Sequence, residues 1–198
     1  MAKTRITKPV EERRQEIIDT ARTMFTENGF DATQMADISK KMNVAAGTVY
    51  HYFKSKTELL YAVIDELADE SAKKKSLLLT ETKGSAFDRL KLTFAHFENE
   101  AEGKLSDSFS DDPAIIQYYL TKLSNSFLSV LVPLIEQGNT DGSWNCEYPT
   151  ETAVFILRGM AGVMAIEQKR NDSPAEKNKR IKAYTHFVLR ILDVVKSE

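Results

Sequence analysis

The segment from Asn43 to Leu60, NVAAGTVYHYFKSKTELL, restricts the possible folds of this chain more than any other part of the sequence. Apolar residues recur at helical spacing from Gln34 to Met42 and again from Gly47 to Phe53, which leaves room only for a tight reversal at Asn43 and Val44. Asparagine tolerates the left-handed conformation in which helices commonly end. The spacing therefore predicts two short helices joined by a sharp turn, which is helix-turn-helix geometry.

The second of these short helices has one face for the protein core and another for a partner. Val49 and Phe53, four residues apart, share a face and are expected to hold the helix on the core. The other positions carry hydroxyl, phenol, imidazole and ammonium groups, at Thr48, Tyr50, His51, Tyr52, Lys54 and Lys56. Groups of these kinds suit the phosphate oxygens and base edges of DNA.

The stretch TVYHYFKSKTELL, with the preceding GFDATQMADISKKMNVAAG and a matching first helix, resembles the signature of the tetracycline-repressor (TetR) family of bacterial transcription regulators over about 50 residues. The resemblance implies an all-α fold. A three-helix helix-turn-helix domain, residues 1–55, would be joined by a long fourth helix to a ligand-binding and dimerisation domain, residues 56–198. Where the family often has polar residues, this chain has the shorter Ala45 and Ala46.

The resemblance also implies roles for individual residues at a DNA interface. The residues that would hold phosphates are Thr33, Thr48, Tyr52 and Lys56. The residues that would face bases or the nearby backbone are Ala46, Gly47, Tyr50 and His51.

Local signals predict where several helices begin and end. The first helix is expected from Val10 to Asn28, stopped by Gly29. Thr33 is placed to cap the second helix, and Ser55 with Glu58 forms a capping box that starts the fourth helix at about Lys56. That helix is expected to continue toward Leu79, with Lys73, Lys74 and Lys75 on a solvated face.

The C-terminal half is also predicted to be helical. One helix is expected from Pro113 to Gln137, kinked or broken by Pro133 and ended by Gly138. Trp144, the single tryptophan, either anchors the following loop or covers a pocket mouth, and anchoring is the simpler interpretation. The last two helices are expected from Pro149 to about Lys169 and, after a capping box at Ser173, to Val195.

Two partners are predicted for this C-terminal half. Small residues on one of the last two helices and a broad apolar stripe on the other resemble the family's dimer interface, a four-helix bundle formed with a second copy. An apolar or amphipathic effector would suit a cavity among Phe94, Phe97, Tyr119, Phe127, Phe155 and Met164. Plain core packing explains the same aromatic positions.

The charge of the chain is unevenly divided. Residues 1 to 56 hold ten Lys or Arg and seven Asp or Glu, and the remainder holds seventeen and twenty-two, so a net +3 is followed by a net −5. A basic N-terminal part suits DNA, because cations at phosphates provide much of the affinity. Ordinary solvated helix faces explain this division about equally well.

Other features bound the class of protein. No apolar run approaches the ~20 residues of a membrane-spanning helix, and the N-terminus lacks the apolar core of a signal peptide. We therefore expect a cytoplasmic protein, and the single Cys146 cannot form an internal disulfide. The motifs GxSxG, HExxH, GxxxxGK and CxxC are missing, so the sequence predicts neither an enzyme nor a bound cofactor or metal.

The sequence thus predicts a DNA-binding transcriptional regulator, a homodimeric repressor released from its operator by a small apolar or amphipathic effector. An alternative is a constitutive DNA-binding protein of chromosome organisation that has no small-molecule effector. A further alternative is an enzyme or carrier built from the helical body, with the N-terminal module as a scaffold.

Overall fold

The computed structural model describes residues 9–92, 112–167 and 173–193 of the chain, and the regular elements there are helices. They are α1 (Val10–Asn28), α2 (Met35–Lys41), α3 (Ala46–Tyr52), α4 (Lys56–Glu81), α5 (described over residues 86–92), α6 (Pro113–Asp141), α7 (Pro149–Glu167) and α8 (Pro174–Ile191). The predicted all-α fold class is confirmed. None of the described helices is both long and apolar enough to cross a bilayer.

The chain divides into two compact units. The described part of the first comprises residues 9–66 and 112–115, and that of the second comprises residues 67–92, 116–167 and 173–193. The division falls inside α4, between Glu66 and Leu67, so the beginning of α4 belongs to the helix-turn-helix unit. The predicted boundary between residues 55 and 56, at the start of α4, stays a prediction about how the two functions are divided.

The core of the first unit is built from the apolar stripes that the sequence shows. In α1, Ile17, Ile18 and Phe25 are completely buried, and Gly29 ends the helix at φ 83°, a conformation open to glycine. In α4, Leu59, Leu60, Val63 and Ile64 are buried as predicted. Each side chain the size of leucine stabilises the fold by about 1.5–3 kcal/mol when it is withdrawn from water.

The core of the second unit is an apolar cluster drawn from several helices. Its buried members are Ala68, Ala72, Leu79, Ala86, Leu90, Leu123, Phe127, Val130, Leu131, Leu134, Ile135, Trp144, Cys146, Ala153, Ile156, Leu157, Val188 and Leu192. α8 begins with the predicted capping box, in which the Ser173 hydroxyl accepts from the Glu176 amide and the Glu176 carboxylate accepts from the Ser173 amide.

The prediction that Gly138 ends α6 is wrong, and of the kink or break predicted at Pro133 the break does not occur. The helix runs through Pro133 and Gly138 without a break and ends at Asp141, after which Gly142 takes φ 78°. Proline removes one amide donor, and the buried Leu131, Leu134 and Ile135 around it keep the helix on the core. The glycine at position 138 serves packing, because a Cβ there would lie 1.9 Å from Cε2 of Trp144.

Trp144 anchors the loop after α6, as predicted. Its indole is 2% exposed, and Nε1 donates a 2.8 Å hydrogen bond to the carbonyl oxygen of Ile135. The predicted solvated face of α4 needs a correction: Lys73 and Lys74 are exposed, but Lys75 is 3% exposed. Lys75 shares its side of the helix with Ala68, Ala72 and Leu79, at spacings of four, three and four residues.

Candidate nucleic-acid interface and effector site

The turn between α2 and α3 has the predicted geometry. Asn43 adopts φ 54°, in the left-handed region that asparagine tolerates. The amide of Asn43 donates to the carbonyl of Lys40, and the amide of Val44 donates to the carbonyl of Ser39, both at 3.0 Å. These bonds satisfy carbonyls at the end of α2, so the chain reverses within a few residues and α3 begins at Ala46.

α3 is held to the core by the two residues predicted for that role. Val49 is completely buried, Phe53 is 2% exposed, and the guanidinium of Arg14 lies 5.2 Å from the Phe53 ring centroid. A cation over an aromatic face adds to the attachment. Because α3 is too short to persist alone in water, these contacts decide its position.

The opposite face of α3 is open to solvent. Ala46, Gly47, Tyr50 and His51 are all exposed, and they occupy neighbouring positions on successive helical turns. A Cβ added to Gly47 would meet no atom within 4 Å. This exposed face, Ala46, Gly47, Tyr50 and His51, therefore offers a phenol and an imidazole beside a flat, small-residue surface, which permits close approach to a partner.

Side chains at the end of α3 are arranged around His51. Its ring contacts the ring of Tyr52 edge to face, with centroids 5.3 Å apart and an interplanar angle of 89°. The Lys54 ammonium lies 3.5 Å from the His51 carbonyl oxygen, where a cation is favourable at a helix C-terminus. Tyr52 and Thr48 are half-buried, at the border between the core and the exposed face.

Thr33 is not placed as predicted, either as a helix cap or as a phosphate contact. It is 1% exposed, and its hydroxyl donates to the carbonyls of Gly29 at 2.8 Å and Met24 at 3.3 Å. The α2 cap is Gln34, which forms a capping box with Asp37. Thr33 instead ties the loop after α1 to that helix, because its buried hydroxyl needs an internal acceptor.

Lys56 also has an internal role that sequence reasoning missed. Its ammonium donates to the carbonyls of Phe30 at 2.8 Å, Thr33 at 2.9 Å and Asp31 at 3.3 Å, one acceptor for each of its three hydrogens. It also lies 4.3 Å from the Phe30 ring centroid. The first residue of α4 thus fastens the loop between α1 and α2, and its contact with phosphate stays a prediction.

The predicted cap of α4 is present in modified form. The Glu58 amide donates to the Ser55 hydroxyl at 3.0 Å, as a capping box requires. The Glu58 carboxylate accepts from the amide of Lys54 rather than that of Ser55, at 2.6 Å. The cap therefore also fixes the backbone that carries Lys54, the exposed cation next to α3.

One predicted effector residue, Phe127, lines a cavity between α6 and α7. The cavity has a volume of about 10 Å³, and its lining also includes Leu120, Leu123, Ser124, Leu157, Met160 and Ala161. Such a volume holds about one water molecule. The other α6 residues of the lining were missed by sequence reasoning. Leu123 and Ser124 lie four and three positions before Phe127, and Leu120 lies three and four positions before those two, so helical spacing is the signal that would have found them.

Of the other predicted effector residues, the described Tyr119 and Phe155 do not line this cavity. Tyr119 packs against the core, and Phe155 is 68% exposed. Phe155 and Leu157 are two residues apart on a helix, which places their side chains on nearly opposite sides. Phe94 and Phe97 lie outside the described residues, as does the side chain of Met164.

Large apolar side chains are exposed on both α7 and α8, and Phe155 is the most exposed of them. Val154 is 39% exposed, and on α8 Phe187 and Ile191 are 58% and 40% exposed. Gly159 lies four residues after Phe155, and Gly162 lies three residues after Gly159. A Cβ added to either glycine would meet no atom within 4 Å. Large apolar side chains beside a flat strip of helix are typical of a surface that another helix covers.

Comparison with known proteins agrees with these features. Residues 17–63 match the family model described as bacterial regulatory proteins, tetR family. The chain is 28% identical to the HTH-type transcriptional repressor KstR2 of Rhodococcus jostii over 166 residues. This alignment covers 76% of the present chain and 77% of KstR2.

Solved structures extend the agreement to the fold of the whole chain. A TetR-family transcriptional regulator from Pectobacterium atrosepticum aligns with a TM-score of 0.71 at 20% identity, over 95% of this chain and 97% of that one. RolR in complex with resorcinol aligns with a TM-score of 0.69 at 19% identity, over 93% of this chain and 89% of that one.

The family match covers the buried stripe of α1, the turn at Asn43 and the whole of α3. The same segment carries the exposed face of α3. The N-terminal segment of the chain, residues 17–63, therefore matches the tetR family of bacterial regulatory proteins, and the chain shares its helical fold with the solved structures.

Proposed function

We propose that this protein is a ligand-responsive transcriptional repressor that holds an operator as a homodimer and releases it when a small effector binds. The observation that carries the proposal is the exposed face of α3, held out by the buried Val49 and Phe53. In this role, Tyr50 and His51 supply hydrogen bonds to base edges, while Ala46 and Gly47 let the helix approach the DNA closely. The protein would act in the cytoplasm, where its DNA target lies.

The phosphate contacts belong to the borders of that face. Thr48 and Tyr52 are half-buried with polar ends suited to phosphate oxygens, and Lys54 is an exposed cation next to them. We assign Lys54 a larger share of phosphate binding than Lys56, because the Lys56 ammonium already serves three backbone carbonyls. We do not assign a phosphate contact to Thr33, because its hydroxyl is buried.

The homodimer would form through α7 and α8. The exposed Phe155 and Phe187 support this, since side chains of this size stabilise an interface when a second copy withdraws them from water. A twofold dimer would present two copies of α3 to half-sites about 34–36 Å apart, or a multiple of that distance. Because the two subunits would contact their half-sites in the same way, the operator is expected to be palindromic.

Two observations support control by an effector. The similar protein RolR has been solved in complex with resorcinol, and here Phe127 lines a cavity in the corresponding helical body. An effector that binds better to the DNA-free conformation must weaken operator binding by the same factor by which the operator weakens effector binding. Couplings of this kind are typically about 1–3 kcal/mol.

Selection of bound sequences from random duplexes tests the DNA half of the proposal. We expect the full chain to recover a palindrome, and His51→Ala to change base preference at symmetric positions of both half-sites. Lys83→Ala, an exposed cation between α4 and α5, is the matched control and should leave the recovered motif unchanged. Recovery of no common sequence would contradict a specific repressor.

One observation favours a constitutive DNA-binding protein of chromosome organisation as a second candidate. The cavity that the described residues enclose, about 10 Å³, is too small for an effector unless side chains move. Such a protein would bind many unrelated duplexes with similar affinity. The same selection experiment separates the two candidates, because only a repressor enriches one site.

A further inference from the structure

Arg14, on α1, is a half-buried cation whose charge is not paired within the described residues. Its guanidinium lies 5.2 Å from the Phe53 ring centroid, and that ring contact is its one interaction with this part of the chain. A cation–π contact stabilises the charge but supplies no acceptor for the five N–H donors of a guanidinium. Arg14 therefore has hydrogen-bonding capacity that the described residues do not use.

The two polar side chains next to Arg14 in the sequence are bonded within the protein. The Arg13 guanidinium donates to the Glu16 carboxylate at 2.8 Å, and the side-chain amide of Gln15 donates to the Glu66 carboxylate at 2.9 Å. The positive charge of Arg13 is thus balanced by an adjacent negative charge. Arg14 is the member of this run that remains available to an outside anion.

Phe53 fixes the guanidinium at the C-terminal end of α3. The ring is 2% exposed and directly follows Tyr52, the last residue of α3. Lys54, the next residue, is exposed, and its ammonium lies 3.5 Å from the His51 carbonyl oxygen. Two cations from different elements of the first unit, Arg14 and Lys54, are therefore placed beside the same helix end.

We propose that Arg14 binds a phosphate group of the operator backbone, beside the phosphate contact assigned to Lys54. A phosphate is the expected ligand because a guanidinium presents paired N–H donors that match its oxygens and is less strongly hydrated than an ammonium. The half-buried position on a fixed ring also reduces the rotamer freedom that is lost on binding. The inference rests on the proposed function, since it adds a residue of α1 to that DNA interface.

The position of Arg14 favours the backbone of DNA over its bases. Phe53 and Val49 hold the buried side of α3, whereas the side chains assigned to bases, Tyr50 and His51, are exposed. A guanidinium that rests on the ring of the buried side is displaced from the face that would enter the groove. Phosphate contacts position a protein on the duplex without reading its sequence, so we expect Arg14 to raise the affinity for every duplex alike.

The test measures fluorescence anisotropy of labelled duplexes with the full chain between about 50 and 200 mM salt. One duplex is the sequence most enriched by selection, and the other has the same base composition in scrambled order. Arg14→Met should weaken binding to both duplexes by about tenfold or more and reduce the slope of log affinity against log salt by about one per subunit, or about two for the dimer. Lys83→Met, at an exposed cation outside the first unit, is the control and should leave both quantities unchanged.

A purely structural role for Arg14 would give a different result. If the guanidinium only attaches Phe53 to α1, Arg14→Met should lower the unfolding midpoint without changing the salt slope of the folded protein, and that outcome would overturn the inference. Arg14→Lys keeps the charge but not the paired donors, so we expect it to keep the salt slope and to bind both duplexes about threefold or more weakly. If Arg14→Met does not fold, Arg14→Lys decides, because full wild-type affinity in that variant would refute the assignment.

The two duplexes separate this inference from the proposed function. Wild-type preference for the enriched duplex, combined with an unchanged salt slope in Arg14→Met, would reject the phosphate contact and leave the repressor intact. Equal wild-type affinity for both duplexes, with a slope that falls in Arg14→Met, would support the contact and contradict sequence-specific repression. A wild-type chain that binds neither duplex would overturn both.

Discussion

The ammonium group of Lys56 donates a 2.8 Å hydrogen bond to the backbone carbonyl of Phe30, so the first residue of α4 is fastened to the loop that follows α1. The same ammonium also lies 4.3 Å from the Phe30 ring centroid. A displacement of the start of α4 would therefore also displace the loop that precedes α2. This connection makes Lys56 a positioning residue for the interface.

Replacing Lys56 with methionine should lower the free energy of unfolding by about 1–3 kcal/mol, because carbonyls lose a charged donor while the apolar stem is kept. Lys54→Met, at an exposed position, should change stability by less than about 0.5 kcal/mol. For operator binding, we expect Lys54→Met to reduce the slope of log affinity against log salt by about one per subunit, or about two for the proposed dimer. Urea titration and salt-dependent binding check both, and identical behaviour of the two variants would contradict this division of roles.

Replacing Gly47 with alanine should separate folding from DNA binding. The added methyl group meets nothing within 4 Å in the free protein, and alanine favours the helix over glycine by up to about 1 kcal/mol. We therefore expect a higher unfolding midpoint and a weaker operator complex, because the methyl group would stand between the α3 backbone and the DNA. Unchanged operator affinity would show that position 47 does not approach the duplex.

Replacing Gly138 with alanine should destabilise the second unit. The new Cβ would overlap the rigid, buried indole of Trp144, and overpacking of this kind costs about 1–3 kcal/mol. Gly47→Ala in the same denaturation assay is the matched control, as a helical glycine with open space. Shortening the indole in the double variant Gly138→Ala/Trp144→Leu should make the two changes non-additive, and strict additivity would argue against the overlap.

Asp141 should contribute to stability at the acidic end of the pH range. Burial raises the pKa of its carboxyl, but hydrogen bonds from the Ser143 hydroxyl and from the Ala86 and Ser143 amides together lower that pKa below its ordinary value of 3.8. A carboxylate whose pKa falls on folding stabilises the protein above its unfolded pKa, and this contribution disappears as pH falls through the folded value.

We therefore expect wild-type stability to fall as pH drops below about 4, the ordinary carboxyl pKa. The Asp141→Asn variant should be less stable than wild type at neutral pH. Its stability should fall less than that of wild type when the pH drops below about 4, because it lacks this carboxyl group. Thermal unfolding followed across this pH range measures both effects. Parallel pH profiles for the two proteins would exclude Asp141 as a contributor.

Replacing Phe155 with glutamate should dissociate the proposed dimer. Burying an uncompensated charge at a central contact costs about 2 kcal/mol or more, roughly a thirtyfold rise in the dissociation constant. Leu77→Glu is the matched control, because Leu77 is 60% exposed on α4 and lies outside the α7 and α8 surface. Sedimentation velocity over a range of concentrations checks the result, and a Phe155→Glu protein that sediments like wild type would contradict this interface.

Helix ends were predictable where the signal is local. α1 occupies the predicted Val10–Asn28, α4 begins at the predicted Lys56, and Ser173 caps α8 with Glu176. Each of these depends on residues within a few positions, whose hydrogen bonds and backbone preferences are nearly independent of the rest of the fold. The buried sides of α1 and α4 were also predictable, because apolar residues recur along each helix at intervals of three or four positions.

Side chains with distant partners were not predictable. The Lys56 ammonium bonds to carbonyls 23 to 26 residues earlier in the chain, and Lys75 meets Phe127 on another helix. Sequence spacing says which side of a helix a lysine occupies but not what covers that side. Gly138 was mistaken for a stop signal for the same reason, since the indole that requires it comes from Trp144 in the following loop.

The small residues at the start of α3 have a consequence for how a genome is searched. With Ala46 and Gly47 offering no side-chain hydrogen bonds, a single α3 distinguishes few base pairs, while a genome presents about 10⁶–10⁹ competing sites. A lone copy would spend most of its time on incorrect sequences. Recognition of one operator would then require the two α3 helices of a dimer to bind their half-sites at the same time. Because dimer formation depends on concentration, the cellular concentration of the protein would itself influence which sites are occupied.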